Sequence, residues 1–199
     1  MNREKRTGII RSTEFQTREA DGARYIEGYF AVFNSEYWFG PNAYETIDSG
    51  AFDLNRDQDV RALTNHDTTL VLGRTTAGTL QLTVDEKGLW GSVLINEKDQ
   101  DAVNAYERVA RGDVNQCSFG FYILDESIDK SDPGLTVFHL RNVELFEVSI
   151  CTFPAYQDTA VEARNADLYQ LKKRDLKAWR ARTVARLKGK SPEEEDKPC

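Results

Sequence analysis

The sequence predicts a mainly β, α+β domain, closed or strongly curled into a barrel, followed by a basic helix. Three observations carry this. Segments that alternate polar and apolar residues, or run apolar between turn signals, recur through the first 164 residues. One internal stretch alone, residues 97–111, repeats its apolar residues at helical spacing. Past Ala155 the composition turns to helix formers, with no Gly or Pro until Gly189.

In chain order, RYIEGYFAVF (24–33) alternates in its first half, as a half-buried strand does. Asp48, Ser49 and Gly50 suit the start of a short helix through Ala51, Phe52 and Leu54. Residues 60–64 form a short apolar strand that runs into NHD. GTLQLTV and LWGSVLI flank the turn sequence DEKG, which predicts a hairpin over residues 78–95. Ala102, Val103, Tyr106, Val109 and Ala110 define the helix, and Gly112 suits its C-terminal cap. Residues 116–124 are a strand, DESIDKSDPG is a polar loop, and LTVFHLRNV follows it. A last strand covers residues 142–151, ending at FPAY.

With 199 residues, 40% hydrophobic and 30% charged, the chain holds one domain with a real core plus an appendage. We place the domain at residues 1–164 and the appendage at 165–199. No apolar run approaches the ~20 residues that span a bilayer. MNREKRTGIIRS has a basic start but no apolar stretch of signal-peptide length, so a cytoplasmic address is expected. Cys117, Cys151 and Cys199 lie far apart and suit neither a metal site nor a disulfide framework. No metal or cofactor is expected. The net charge of −7 is unevenly spread. Residues 165–190 carry nine Lys/Arg against two Asp, while residues 191–199 carry four acids and one Lys. An acidic body thus bears a basic arm, a pattern typical of interaction segments. Leu176, Trp179, Thr183 and Leu187 form a narrow stripe along that arm, and the tail SPEEEDKPC is expected to be disordered.

Three residues could carry chemistry. His66, in LTNHD, stands at a strand end before a loop; such a histidine is as often structural as catalytic. Ser118, in CSFGF, lies within an apolar strand, where a serine is usually structural. Glu147 interrupts an apolar strand. Period two puts Phe146, Val148 and Ile150 on one face, and Glu147 on the other with Leu145, Ser149 and Cys151. A carboxyl group in that company needs solvent or a partner. Together these are the types that nucleophilic hydrolysis requires: a hydroxyl, an imidazole to take its proton, and a third group to orient the imidazole. Only two histidines, His66 and His139, compete for the imidazole role. Cys117 rivals Ser118 as nucleophile, but adjacent strand residues face opposite ways, so both cannot face His66. Asp67 suits a turn or cap.

The segments GYFAVFNSEY, ETIDSGAFD, LTNHD, LGRT, GLWGSVLIN, CSFGF and ELFEVSICTFPAY occur in one order over residues 24–160. In that order the chain resembles the prohead maturation proteases of tailed bacteriophages, the HK97-type family. The resemblance implies a serine endopeptidase with a fold similar to the herpesvirus assembly protease. It assigns Ser118 as nucleophile, His66 as general base and acid, and Glu147 as the orienting acid. Herpesvirus relatives use a second histidine in the third place, so His139 is an alternative there. Glu144 is another, on the opposite strand face if pairing is regular. Gly120 and Arg74 are candidates near the oxyanion, with a strand bend and a surface charge as their plain readings.

The implied partners are the major capsid protein with its scaffolding segment, and the chain itself through self-cleavage. The implied location is the host cytoplasm, inside the prohead, without survival of the intact chain into the mature virion. The arm reads as a removable recruitment segment. A homo-oligomer stays open, no membrane is involved, and nucleic acid has little support, since only Tyr169 and Trp179 could stack. Two rival classes are a noncatalytic assembly or scaffolding factor with a β docking domain, and a nucleic-acid-binding β-barrel.

Overall fold

The computed structural model describes residues 5–10, 15–56, 59–153 and 157–187. Strands are β1 (Lys5–Ile10), β2 (Gln16–Ala20), β3 (Ala23–Val32), β4 (Tyr37–Gly40) and β5 (Ala43–Ile47). A hairpin of β6 (Arg61–Thr64) and β7 (Asp67–Arg74) follows, then a second of β8 (Leu80–Val84) and β9 (Gly88–Leu94). Helix α1 (Gln100–Ala110) leads into β10 (Gln116–Asp129), β11 (Thr136–Cys151) and helix α2 (Gln157–Leu187).

The strands form two open sheets rather than a closed barrel. The larger has seven strands, ordered β1-β10-β11-β5-β4, with β6 joining β11 to β7; the smaller is β2-β3-β9-β8. The barrel expectation fails because each sheet keeps terminal strands that pair on one side only. Alternation alone cannot tell an open sheet from a closed one, since both bury one face.

Several local expectations hold. The 78–95 hairpin forms, its turn held by the Asp85 carboxylate, which accepts from the Lys87 and Gly88 amides at 2.8 and 3.0 Å. Helix α1 begins at an Asp99 cap accepting from the Asp101 amide, buries Ala102, Ala105, Tyr106 and Val109, and ends before Gly112 at φ 84°. Others do not. Residues 48–54 form no helix. Ala51 and Phe52 are buried instead, filling the gap that β5 and β6 leave along β11; Phe52 bridges Val143, whose amide donates to Ala51 O. The polar segment 125–129 is not loop but the outer part of β10. It pairs with residues 137–142, so residues 136–151 form one strand. Ladder hydrogen bonds there override low strand propensity.

One apolar core joins residues of both sheets and α1, with Ile26, Phe30, Leu89, Val93, Phe119, Phe121 and Leu140 essentially inaccessible. Each such side chain contributes about 1.5–3 kcal/mol by burial. Where β11 faces this core, a bulge decides which residues point inward. Gly120 pairs with Glu147 but Phe121 pairs with Leu145, so Phe146 is the extra residue. Before the bulge Val143 and Leu145 fill the core; after it Val148 and Ile150 do. The period-two expectation that grouped Phe146 with Val148 and Ile150, and Leu145 with Glu147, is therefore corrected.

The chain divides into two compact units, Met1–Ala160 and Val161–Cys199. The second holds most of α2, with Tyr169, Leu176, Trp179 and Val184 exposed. Of the expected stripe, Leu176 and Trp179 are exposed and Thr183 is half-buried, while the Leu187 side chain and the acidic tail lie outside the described residues. Among the described residues no helix is long and apolar enough to cross a membrane.

Candidate active site

The site is assembled from three adjacent strands of the larger sheet. In the antiparallel pair β10–β11, Ser118 lies opposite Ser149 and Gly120 opposite Glu147. Directly opposed residues project to one face. Ser118, Ser149 and Glu147 therefore share a face, with Cys151 two residues beyond Ser149. That face is shielded too: Ser118 and Ser149 are fully buried, and Glu147 is 5% exposed. On the other side of β11, β6 runs parallel, with Glu147 opposite Arg61 and Ile150 opposite Thr64.

At the end of β6 the chain reverses in two residues, Asn65 and His66, with φ of 53° and 59°. Two successive positive φ values are the mark of the tight hairpin turn whose twist matches its strands. Asn tolerates the left-handed region, and His does so at some cost. The end of β11 clamps the turn. The Asn65 amide donates to Ile150 O at 2.9 Å, the Thr152 amide to Asn65 Oδ1 at 2.9 Å, and the His66 amide to Ser149 Oγ at 3.2 Å. Asp67 then accepts from the Thr69 amide and hydroxyl at 2.8 and 2.6 Å. The Thr69 hydroxyl, then the Thr69 amide, hold its carboxyl below the usual range. Asp67 is thus the turn residue its position suggested.

The clamp aims the imidazole at Glu147. His66 Nδ1 lies 2.6 Å from Glu147 Oε1, and Ser149 Oγ donates to Glu147 Oε2 at 2.6 Å. A carboxylate accepting on Oε1 selects the tautomer with the proton on Nδ1 and the lone pair on Nε2. Cys151 Sγ lies 3.9 Å from Nε2. Burial, reinforced by the Glu147 charge, pushes that thiol up to about 12, so at neutral pH it is not a thiolate.

Gly120 has a steric reason. A Cβ there would lie 2.6 Å from Glu147 Oε1 and 2.5 Å from the Phe146 ring. Only glycine leaves room beside β10 for the carboxylate that meets His66. Gly120 also sits at the bulge, so the strand-bend reading is part of the same arrangement.

The other sequence candidates lie as follows. His139 is on the distant part of β11, opposite Thr46, and its Nδ1 is 2.9 Å from Asp48 Oδ1. It is not the partner of His66. Glu144 pairs with Tyr122 and, because of the bulge, lies on the same face as Glu147. The opposite-face expectation assumed regular pairing and is corrected. Cys117 faces the core, its thiol 3.1 Å from Tyr29 O, away from the Ser118 face. Arg74 stands at the far end of the hairpin from His66, bonded to Asp59 through Nε and Nη2 at 2.6 Å each. Sequence reasoning missed Asn65, Ser149 as a double partner, and Cys151 beside Nε2. The alternation that grouped Ser149 and Cys151 with Glu147 was the available signal.

No curated protein matches the chain. Among solved structures, the chain is similar to the bacteriophage T4 capsid assembly protease, gp21, at 12% identity and a TM-score of 0.47, covering 77% of this chain and 100% of that one. The family model of caudovirus prohead serine proteases matches residues 11–174, and the chain belongs to that family.

Proposed function

We propose that the chain is a serine endopeptidase in which Ser118 is the nucleophile, His66 the general base and acid, and Glu147 the orienting acid. The hydrogen bond of 2.6 Å between His66 Nδ1 and Glu147, on the sheet face that carries Ser118, is the observation that supports this best. A serine hydroxyl needs a base whose free nitrogen is defined, and the Glu147 contact defines it.

The steps follow from that arrangement. Ser118 Oγ attacks the peptide carbonyl carbon while Nε2 takes its proton. The tetrahedral intermediate collapses, the C–N bond breaks, and Nε2 returns the proton to the leaving amine. Water, deprotonated by Nε2, then cleaves the Ser118 ester and restores the hydroxyl. Glu147 stabilises the imidazolium in both halves.

Family membership supports a capsid-assembly substrate. We take this to be the scaffolding portion of the major capsid protein, together with the chain itself, cut inside the prohead. The basic arm serves recruitment. Mass spectrometry of the chain co-expressed with its capsid protein, wild type beside Ser118→Ala, tests the reading. Mass loss from both proteins in the wild type and none in the variant is the expected result. Equal cutting in both removes Ser118 from the mechanism. Intact proteins in proheads that assemble normally in both cases favour the noncatalytic assembly factor instead.

A further inference from the structure

We propose that Ser149 is a positioning residue that locks Glu147 and the His66 turn into one geometry; this rests on the serine-peptidase reading above. Its hydroxyl is fully buried and stands between the two groups. Oγ lies 2.6 Å from Glu147 Oε2, 3.2 Å from the His66 amide nitrogen and 3.4 Å from His66 Nδ1.

Counting protons fixes its role. The hydroxyl has one hydrogen, and the carboxylate has none to offer, so the hydrogen goes to Oε2. The Ser149 lone pairs then face His66, where the amide N–H supplies the donor. The Nδ1 hydrogen is committed to Oε1. Ser149 thus sits on the protonated side of the imidazole, away from Nε2, and is not placed to lose its proton to the base. It is not a second nucleophile.

Two freedoms are removed by this one group. A carboxylate held through a single oxygen can rotate about its terminal bond; with Oε2 also held, Oε1 stays in line with Nδ1. A histidine in the left-handed region can relax by turning its peptide, which would swing the ring away. Accepting from the His66 amide opposes that rotation. Because Glu147 and Ser149 are two residues apart on one strand, they face the turn together without help from another element.

The chain has two histidines, which makes the test direct. Proton NMR of the full chain should show a strongly downfield Nδ1–H resonance for His66 in the wild type, with His139, held by Asp48, as an internal fold control. A fluorophosphonate reports the reactivity of Ser118. In Ser149→Ala we expect loss of the His66 resonance, an unchanged His139 signal, and labelling of Ser118 slowed roughly 10- to 100-fold, the range for losing a supporting contact. Ser149→Thr, which keeps the hydroxyl, should recover both. An Ala variant with the resonance and the labelling rate of the wild type overturns the proposal. So does a folded Thr variant that has lost both, and that variant decides the matter if Ala does not fold. If the wild type is not labelled at Ser118 yet the His66 resonance depends on Ser149, the nucleophile assignment fails while the positioning role stands.

Discussion

Adding one carbon at Gly120 should silence the site while leaving most of the fold intact. In Gly120→Ala the new Cβ would stand 2.6 Å from Glu147 Oε1 and 2.5 Å from the Phe146 ring. Ordinary contact between such atoms begins near 3.4 Å, so Glu147 Oε1 must retreat by about 0.8 Å and the Phe146 ring by about 0.9 Å. Phe146 can do so: its ring is half-buried and packs on Tyr122 at the sheet surface. Glu147 must do so with Oε1, the same atom that His66 Nδ1 contacts at 2.6 Å, so a shift of that size disturbs the length or alignment of the bond. Gly120 is not among the residues at positive φ, so no backbone strain complicates the result. The stability cost should be that of modest overpacking, about 1–3 kcal/mol. Losing the orienting carboxylate should lower the rate of peptide hydrolysis, or of fluorophosphonate labelling at Ser118, by about 10²- to 10⁴-fold. Thermal melting and labelling are read on one preparation. A variant that melts a few degrees lower yet reacts as fast as the wild type would refute the reasoning, because Glu147 would then be dispensable or free to reach His66 by another path.

The remaining predictions concern the thiol, an acid pair and the arm. Cys151→Ala should retain peptidase activity, and iodoacetamide should leave Cys151 unmodified in the folded chain at neutral pH, because burial holds the thiol protonated up to about 12; rapid inactivation by alkylation at Cys151 would make the thiol the nucleophile. Arg18→Ala should destabilise the fold near neutral pH, since Glu27, buried in β3, would lose the Arg18 hydrogen bonds and keep, among the described residues, Ser92 as its side-chain donor. The Arg18 hydrogen bond, against opposing burial, holds Glu27 below its ordinary value of 4.5. That contribution is complete above the ordinary value and drains away as pH falls through the lower folded one, so the wild-type advantage in chemical denaturation should shrink in acid; an advantage that grows below pH 4.5 would contradict it. Deleting residues 165–199 should leave Ser118 labelling intact but reduce incorporation into proheads, and equal incorporation would end the recruitment idea.

Residue types and short-range patterns determined a good deal alone. Alternation in residues 24–33 and 78–95 marked strands, and the spacing of Ala102, Tyr106 and Val109 marked α1, because period and burial are local properties. His66, Ser118 and Glu147 stood out because each is chemically out of place in an apolar strand or at its end. Tertiary structure alone decided how they are placed. Strand pairing puts residues 118 and 147 on neighbouring strands and residue 66 in the turn at the end of a third, although they are far apart in the chain, and no local pattern encodes a register. A single extra residue at Phe146 reverses the inward face of β11, which sends Glu147 to the Ser118 side and Leu145 to the core. Whether the sheets close, which histidine finds Glu147, and why position 120 must be glycine all follow from that long-range pairing. Their energies lie in contacts between segments that the chain order keeps apart.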